Sequence, residues 1–232
     1  MREIVFDTET TGLDAGQDRI IEIGGIELFK RYPTGRIFHH YLNPQGRMVH
    51  ADARAIHGIS MADLAGKPTF DAIADEFLAF IDGAKLVAHN AGFDVAFINA
   101  ELARLGHSPV TSDRVVDTLV IARRKHPMGP NSLDALCRRY GIDNSHRTKH
   151  GALLDSELLA EVYLELIGGK QGALGLEIIQ EPRPGSSESF IVAVTIGERP
   201  RPLPPRISEA ELVAHAAIVA ELGDAAIWRR LG

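Results

Sequence analysis

Residues 2–12, Arg-Glu-Ile-Val-Phe-Asp-Thr-Glu-Thr-Thr-Gly, begin as a short apolar strand and end in acidic and turn-forming residues. Asp7 and Glu9 lie two residues apart, so the alternation of a β-strand puts both side chains on one face of a sheet. Two carboxylates on one face can share a hard cation. The pair alone indicates little, because an Asp-x-Glu occurs by chance roughly once in a chain of this size. Two surface acids at a strand end are the ordinary interpretation.

The segments that follow predict an α/β fold. Residues 19–29 and 35–42 have strand character, and the residues between the first three strands, Pro33 and Gly35 among them, suit the turns of an antiparallel meander. Helical and strand patterns then alternate along the chain. The helices are expected over 70–81, 92–105, up to about 126, 132–141 and 152–167, and the strands over 85–89 and 114–117. Such an order predicts a mixed sheet flanked by helices.

The composition of the chain changes after about residue 170. Half of the twelve prolines fall between residues 181 and 205, which is typical of an extended linker. Ser208 then begins a capping box, and the apolar stripe that follows it ends at Gly223. One short helix is marginal alone in water, so it is expected to fold back or, as the linker favours, to bind a partner. The sequence predicts a domain over 1–170, a flexible linker over 171–206 and a helical tail over 207–232.

Composition and charge restrict the class of protein. No run of about 18 apolar residues is present, so no membrane span is expected, and the first residues show no signal-peptide pattern. Cys137 is the only cysteine, which suits a reducing cytoplasm. The net charge of −6 is unusual for a nucleic-acid-binding protein, but residues 121–150 carry seven basic and two acidic side chains. A solvated surface of two helices is the ordinary interpretation of that local excess.

Two further segments place acidic side chains at the ends of elements. Asp94 closes the segment His-Asn-Ala-Gly-Phe-Asp and falls in the first turn of a helix, where an acid can also simply favour the helix dipole. His150 and Asp155 are five residues apart and would not share a face of one helix. They converge only if His150 lies in the loop before the helix, a break that Gly151 permits.

Taken together, these residues predict a metal site. Crowded carboxylates repel one another unless cations neutralise them. Two divalent cations, Mg²⁺ or Mn²⁺, about 3.5–4 Å apart would suit oxygen ligands and in-line phosphoryl transfer. A histidine beside them is suited to take the proton from an attacking water at physiological pH. The cluster consists of Asp7, Glu9, Asp94, Asp155 and His150.

The order Asp7-x-Glu9, Asp94, His150-x4-Asp155 resembles the histidine branch of the DEDD exonucleases. More narrowly, it resembles the proofreading epsilon-subunit family of bacterial DNA polymerase III. The likeness spans about the first 170 residues and includes the segments 6–12, 56–59, 89–94 and 131–137. It implies an RNase-H-like core and a 3′→5′ exonuclease that releases nucleoside 5′-monophosphates from DNA 3′ ends.

The resemblance also implies a role for each matching residue. Asp7, Glu9 and Asp155 would bind the metals, with Asp7 bridging them. Asp94 would act partly through water, and His150 would be the general base. The 3′-terminal nucleotide would be held by Thr10, Thr11, Gly12, Leu13, His57 and Phe93.

Three of the aromatic residues have an ordinary alternative. His57 could be a turn or capping histidine, and Phe93 could be a core aromatic rather than a contact to a base. His89 could support Asp94 instead of touching substrate. These alternatives stay open at the level of the sequence.

The C-terminal tail resembles the segment through which epsilon subunits bind the polymerase alpha subunit. Leu212, Val219 and Trp228 are the expected anchors, since buried aromatic side chains dominate interface energies. Some family members carry a sliding-clamp motif in the linker. Residues 189–191, Ser-Phe-Ile, are too weak a counterpart, so clamp binding stays open.

Two other functions remain as alternatives. An RNA-trimming exonuclease could use the same residues, because discrimination of the 2′-hydroxyl depends on pocket shape. A noncatalytic module that braces a polymerase could share the fold, although all five catalytic positions are present. The tail favours the DNA enzyme.

Overall fold

The computed structural model describes residues 1–169 and 208–223. The chain divides into two units, the first ending at Glu177, and each is described by itself. In the first unit the strands are β1 (Arg2–Thr10), β2 (Ile20–Phe29), β3 (Tyr32–Tyr41), β4 (Lys85–Ala88) and β5 (Val115–Asp117). Its helices are α1 (Ala51–His57), α2 (Phe70–Ile81), α3 (Gly92–Arg104), α4 (Thr118–Lys125), α5 (Leu133–Tyr140) and α6 (Ala152–Leu166). The second unit contains α7 (Glu209–Leu222).

The strands form one mixed sheet in the order β3-β2-β1-β4-β5. β1, β2 and β3 pair antiparallel, whereas β4 runs parallel to β1 and β5 parallel to β4. The predicted mixed sheet flanked by helices is therefore confirmed. β1 lies at the centre of the sheet, so its side chains are covered on both faces.

Alternation along β1 divides its side chains between two cores. Ile4 and Phe6 pack among residues of α2 and α3, whereas Val5 packs against α6. Asp7 and Glu9 have the same parity as Val5 and therefore point to the α6 side. Thr8 has the parity of Phe6 and points to the α3 side. The strand thus presents polar groups to both helices.

Local sequence signals place the boundaries of α5 and the start of α7. Ser132 accepts a hydrogen bond from Ala135 N at the start of α5, and Gly141 ends that helix in the left-handed region with φ 68°. Ser208 and Glu211 form the predicted capping box at the start of α7. These caps satisfy backbone groups that a helix leaves without partners at its ends.

The predicted turn at Pro33 and Gly35 is wrong. The β2–β3 turn lies at Lys30 and Arg31, which have φ of 52° and 71°. Pro33 and Gly35 belong to β3, an edge strand, where proline can lack a ladder donor without leaving a partner unpaired. The sequence also gave no indication of α1, in which only His57 is buried.

The tail helix has apolar residues on more than one side. The predicted stripe contains Leu212 and Val219, but Val213 and Ile218 lie off it and are exposed. The linker prediction over 171–206 and the proposed anchor Trp228 fall outside the described residues and stay predictions. Among the helices of the described ranges, none has the length and apolar character needed to span a bilayer.

Gly24 lets α6 lie directly on the sheet. A Cβ atom at this position would overlap the backbone of Ala152 and Leu153 at the start of α6. The N-terminus of α6 can therefore reach β2 only because residue 24 has no side chain. Ser156 reinforces the contact by donating a hydrogen bond to Gly24 O at 3.0 Å.

We expect Gly24→Ala to lower the free energy of unfolding by about 1–3 kcal/mol, because the overlap is with backbone atoms that cannot rotate away. Gly92→Ala is the matched control, since a Cβ at this helical position meets no atom within 4 Å and is expected to be neutral or slightly stabilising. Urea unfolding of both variants measures the difference. Equal stabilities of the two variants would contradict the close contact.

Candidate active site

The first two candidate residues come from β1. Asp7 and Glu9 share the face of the strand that is directed at α6, as the strand alternation predicts. Glu9 is buried, and its Oε1 atom has no hydrogen-bond partner among the described residues. A buried carboxylate oxygen without a donor is unfavourable unless another positive group approaches it.

Asp94 is held against the end of the parallel strand pair. β1 and β4 pair only as far as Val5 and Val87, so backbone groups of β1 beyond that point lack a strand partner on this side. The Oδ1 atom of Asp94 accepts hydrogen bonds from Thr8 N at 3.0 Å and Thr8 Oγ1 at 2.7 Å. Asp94 therefore continues the hydrogen bonding of β1 from the first turn of α3.

Asp155 and His150 lie on either side of the start of α6. His150 is in the loop before the helix, where the sequence predicts it, and Asp155 is in the first turn. The Nδ1 atom of His150 lies 3.2 Å from Oδ2 of Asp155. One ligand atom from each of Glu9, His150 and Asp155 falls within 4.8 Å of the others.

The electrostatics of the cluster are unfavourable for full ionisation. Burial raises the pKa of Asp7 well above its ordinary value, and neighbouring carboxylates raise it further, Asp94 foremost. Burial raises the pKa of Glu9 to about 8, with the charge of Asp155 as the next cause. Burial also raises the pKa of Asp94, although the hydrogen bonds from Thr8 oppose the shift.

Asp155 differs from the other carboxylates because it has a cationic partner. Burial acts to raise the pKa of Asp155, but hydrogen bonds from Arg147 and His150 outweigh burial and hold the pKa below its ordinary value. Arg147 Nε lies 2.6 Å from Oδ1 of Asp155, and Nη2 lies 2.7 Å from Oδ2. The guanidinium thus binds both oxygens of the carboxylate.

The donor set suits a divalent cation. The cluster combines carboxylate oxygens with one imidazole. One buried carboxylate oxygen has no donor, and burial and neighbouring charge raise the carboxyl pKa values. Each observation indicates a place for added positive charge. The residues are present in the types that a hard cation prefers. The group therefore fits a divalent metal.

A cavity of about 330 Å³ opens beside the carboxylates. Of the residues predicted to hold a nucleotide, Thr10, Gly12, Leu13, His57 and Phe93 line it. Thr11 does not line it, because its buried hydroxyl donates to Asp18 Oδ1 at 3.0 Å. The position of Thr11 was not suggested by any local signal in the sequence.

Of the three aromatic residues with an alternative role, His57 and Phe93 line the cavity and also make the alternative contact, whereas His89 lines the cavity beside Thr118. His57 lines the cavity, and its Nδ1 atom also accepts a hydrogen bond from Ile59 N at 3.0 Å in the turn after α1. Phe93 lines the cavity and packs its ring 4.9 Å from that of Phe97. His89 also lines the cavity, and Nδ1 lies 2.9 Å from Thr118 Oγ1.

Asp18 organises the loop after β1. A Cβ atom at Gly12 would overlap the side chains of Asp18 and His50, so only glycine permits this close approach. Arg47 Nε donates to Asp18 Oδ1 at 2.8 Å. Asp18 therefore ties the side chains of Thr11 and Arg47 together beside the mouth of the cavity.

Three buried or half-buried residues around the cluster were missed by sequence reasoning. Thr8 binds Asp94, and Arg147 binds Asp155. Glu22 accepts a hydrogen bond from Ala152 N at 3.1 Å and lies 2.7 Å from His39 Nε2. A glutamate inside the apolar run Ile-Ile-Glu-Ile is the one signal in the sequence that could have identified Glu22 as a buried acid.

A larger depression of about 750 Å³ lies between β2, β3, α5 and α6. Its lining is largely apolar and acidic, and it contains none of the predicted site residues. Size alone therefore does not identify the active site, and the chemistry lies at the smaller cavity.

Comparisons with known proteins identify the family of the chain. A family model described as exonuclease, RNase_T, matches residues 4–163. The DNA polymerase III subunit epsilon of Escherichia coli K12 is 42% identical over 239 residues, covering 98% of this chain and 97% of that protein. The subunit of the same name from Rickettsia felis is 52% identical over 177 residues, covering 75% of this chain and 77% of that protein.

Solved structures show the same fold. Exonuclease X in complex with 5′ overhanging duplex DNA is 26% identical, with a TM-score of 0.55 over 72% of this chain and 90% of that chain. The nuclease domain of 3′hExo, a DEDDh family member bound to rAMP, is 16% identical, with a TM-score of 0.58 over 72% of this chain and 91% of that chain. The second likeness bears on the fold alone. The chain belongs to the RNase_T exonuclease family and, within it, to the group of DNA polymerase III epsilon subunits.

Proposed function

We propose that this exonuclease removes nucleotides from DNA 3′ ends, releases nucleoside 5′-monophosphates and proofreads for a replicative polymerase. The observation that carries the proposal is that three carboxylates and His150 line a nucleotide-sized cavity, with Asp155 in contact with His150. Their contacts and charges are those expected of a divalent-cation site. The overall similarity to epsilon subunits supports the polymerase context.

Each carboxylate has a distinct part in the proposed metal site. Two divalent cations, Mg²⁺ or Mn²⁺, would activate the attacking water and neutralise charge on the phosphate when bound. Asp7, Glu9 and Asp155 offer oxygens for direct ligation. Asp94 has Oδ1 occupied by Thr8 and offers Oδ2, which suits a contact through water.

His150 is placed to accept the proton of the attacking water. Its side chain is 47% exposed, so it can reach a water that enters with the substrate. Attack of that water on the terminal phosphorus breaks the bond to the leaving 3′-oxygen, which takes up a proton from solvent. Asp155 Oδ2, at 3.2 Å from Nδ1, orients the ring for this step.

The cavity provides polar and apolar surfaces for one nucleotide. Leu13 is 84% exposed and Ile56 is 52% exposed at the rim, which leaves apolar surface for a base. The backbone of Thr10 and Gly12 and the side chain of His57 offer polar contacts to the sugar and phosphate. Phe93 closes the floor between the core and the cavity.

The tail is proposed to dock onto the polymerase alpha subunit. Leu212, Val213 and Ile218 are exposed on α7, and a helix that is apolar on several sides is stable only when it is enclosed. Its partner would therefore surround α7 rather than touch one stripe. The proposal places the protein in the cytoplasm with its polymerase; a sliding-clamp contact is not part of it.

The exonuclease reaction is tested with 3′-labelled single-stranded DNA and matching RNA in Mg²⁺. We expect release of 5′-monophosphates from DNA, abolished in Asp7→Ala, and a kcat lowered about 10²–10⁴-fold in His150→Gln. His146→Gln, an exposed histidine of the same loop, should retain wild-type activity. A strong preference for RNA would favour the trimming enzyme, and no activity on either substrate would favour the bracing module.

Metal removal should make stability dependent on pH. The pKa of Glu9 rises from 4.5 when unfolded to about 8 when folded, and those of Asp7 and Asp94 also rise. The folded protein then binds more protons between these values, so its free energy of unfolding in EDTA should fall by about 1–3 kcal/mol from pH 5.5 to 8.5. Urea unfolding at both pH values measures the fall.

Mg²⁺ should abolish most of this fall, because a cation replaces the protons. Burial lowers the pKa of His57 and of His89, which adds stability as the pH rises. The difference between EDTA and Mg²⁺ series cancels that contribution. Asp7→Asn should show a smaller fall in EDTA and a smaller gain from Mg²⁺. A gain from Mg²⁺ that is the same at both pH values would contradict the carboxylate site.

Deletion of residues 207–232 should leave nuclease activity on free DNA intact and abolish co-elution with the polymerase alpha subunit in gel filtration. The reason is that the described tail helix exposes apolar surface suited to a partner. Leu212→Asp in the full chain should weaken the association, whereas Glu209→Ala at the same helix end should not. Loss of activity on free DNA after the deletion would show instead that the tail belongs to the nuclease domain.

A further inference from the structure

Arg147 contacts two residues of the proposed metal site without being one of its ligands. Its side chain is only 6% exposed, although the loop that carries it is largely exposed. Besides binding both oxygens of Asp155, the guanidinium lies 2.8 Å from Asp134 Oδ1 through Nη1. The side chain therefore joins the loop, α5 and α6.

The same guanidinium also contacts the proposed base. Nη2 of Arg147 lies 2.9 Å from Nδ1 of His150. The same Nδ1 atom lies 3.2 Å from Asp155 Oδ2, so the tautomer of the ring decides which of the two contacts is a hydrogen bond. One residue thus engages a proposed metal ligand and the proposed base at the same time.

The oxygens that Arg147 binds are those that a divalent cation needs. Asp155 contributes one of the ligand atoms in the cluster with Glu9 and His150, and both of its oxygens already accept from the guanidinium. A cation that binds Asp155 therefore shares one negative charge with the guanidinium. The positive charges of the cation and of the guanidinium also repel one another.

We propose that Arg147 and the divalent cation compete for Asp155, so that Arg147 supplies the positive charge of the site before metal binds and sets the metal affinity. This inference rests on the metal site of the proposed function. Each oxygen of Asp155 has a second lone pair, so a cation can bind while Arg147 stays in place, but both positive groups then draw on one carboxylate. Asp134, half-exposed on α5, holds the other end of the guanidinium. Arg147 is a positioning residue, since it acts through Asp155 and His150.

The competition predicts that removal of Arg147 raises the affinity of the site for metal. Removing an arginine that merely supports the fold would weaken metal binding or leave it unchanged. Removing a competing cation strengthens it. We expect Arg147→Gln to bind Mn²⁺ about tenfold more tightly than the wild type, as the loss of one neighbouring positive charge predicts. The same variant should melt at a lower temperature in EDTA, because Asp155 then lies buried without its counter-charge.

Isothermal titration of the full chain with Mn²⁺ alone, without DNA, measures this affinity. Arg138→Gln, an exposed arginine of α5, is the matched control and should bind as the wild type does. Arg147→Lys keeps the charge but cannot hold both oxygens, so it should bind Mn²⁺ more tightly than the wild type by a smaller factor. The lysine variant carries the test if the glutamine variant does not fold.

The outcomes separate this inference from the function on which it rests. No Mn²⁺ binding to the wild type would overturn the proposed metal site itself. Binding by the wild type together with unchanged or weaker binding by Arg147→Gln or Arg147→Lys would overturn the competition and leave the metal site standing. Tighter binding by the variants, with Arg138→Gln unchanged, is the result that supports it.

Discussion

Repulsion among four carboxylates that meet at the end of one strand is the constraint on which the rest of the site depends. Each acid is accommodated differently. Asp94 gives one oxygen to the backbone and hydroxyl of Thr8, and Asp155 is paired with Arg147. Glu9 keeps a buried oxygen without a donor. The cluster is therefore only partly compensated by protein groups, and the uncompensated part is where a cation has the most to gain.

The scaffold brings the acids together through alternation and close packing. β1 sends Val5 to one core and Ile4 to the other, so the following polar residues are divided between α6 and α3 without any special turn. Gly24 then allows α6 to approach the sheet at backbone distance. Glu22, two residues before Gly24 in β2, holds the start of α6 by accepting the hydrogen bond from Ala152 N. Asp155 owes its position to these two residues of β2.

The parts of this architecture that are local could be predicted from the sequence. Strand parity, the Ser132 and Ser208 caps and the break before α6 all depend on residues near one another in the chain. The parts that were missed depend on contacts between separate elements of the fold. Arg147 is one of seven basic residues in a segment that reads as a solvated surface, and only its contacts with α5 and α6 show that it is buried. Helix α1 was missed because seven residues with one buried side chain show no periodicity. The β2–β3 turn lies at Lys30 and Arg31, which adopt the left-handed conformation. Lysine and arginine rarely do so, so the sequence did not indicate a turn there.

The hydrogen bond from Ala152 N to Glu22 joins residues 130 positions apart, and this separation has a consequence during synthesis. A ribosome has synthesised all five strands before it reaches α6. Until that helix emerges, the nascent chain has two acids on β1 and one on α3 but neither His150 nor Asp155. The proposed nuclease site is therefore incomplete until residue 155 has been made.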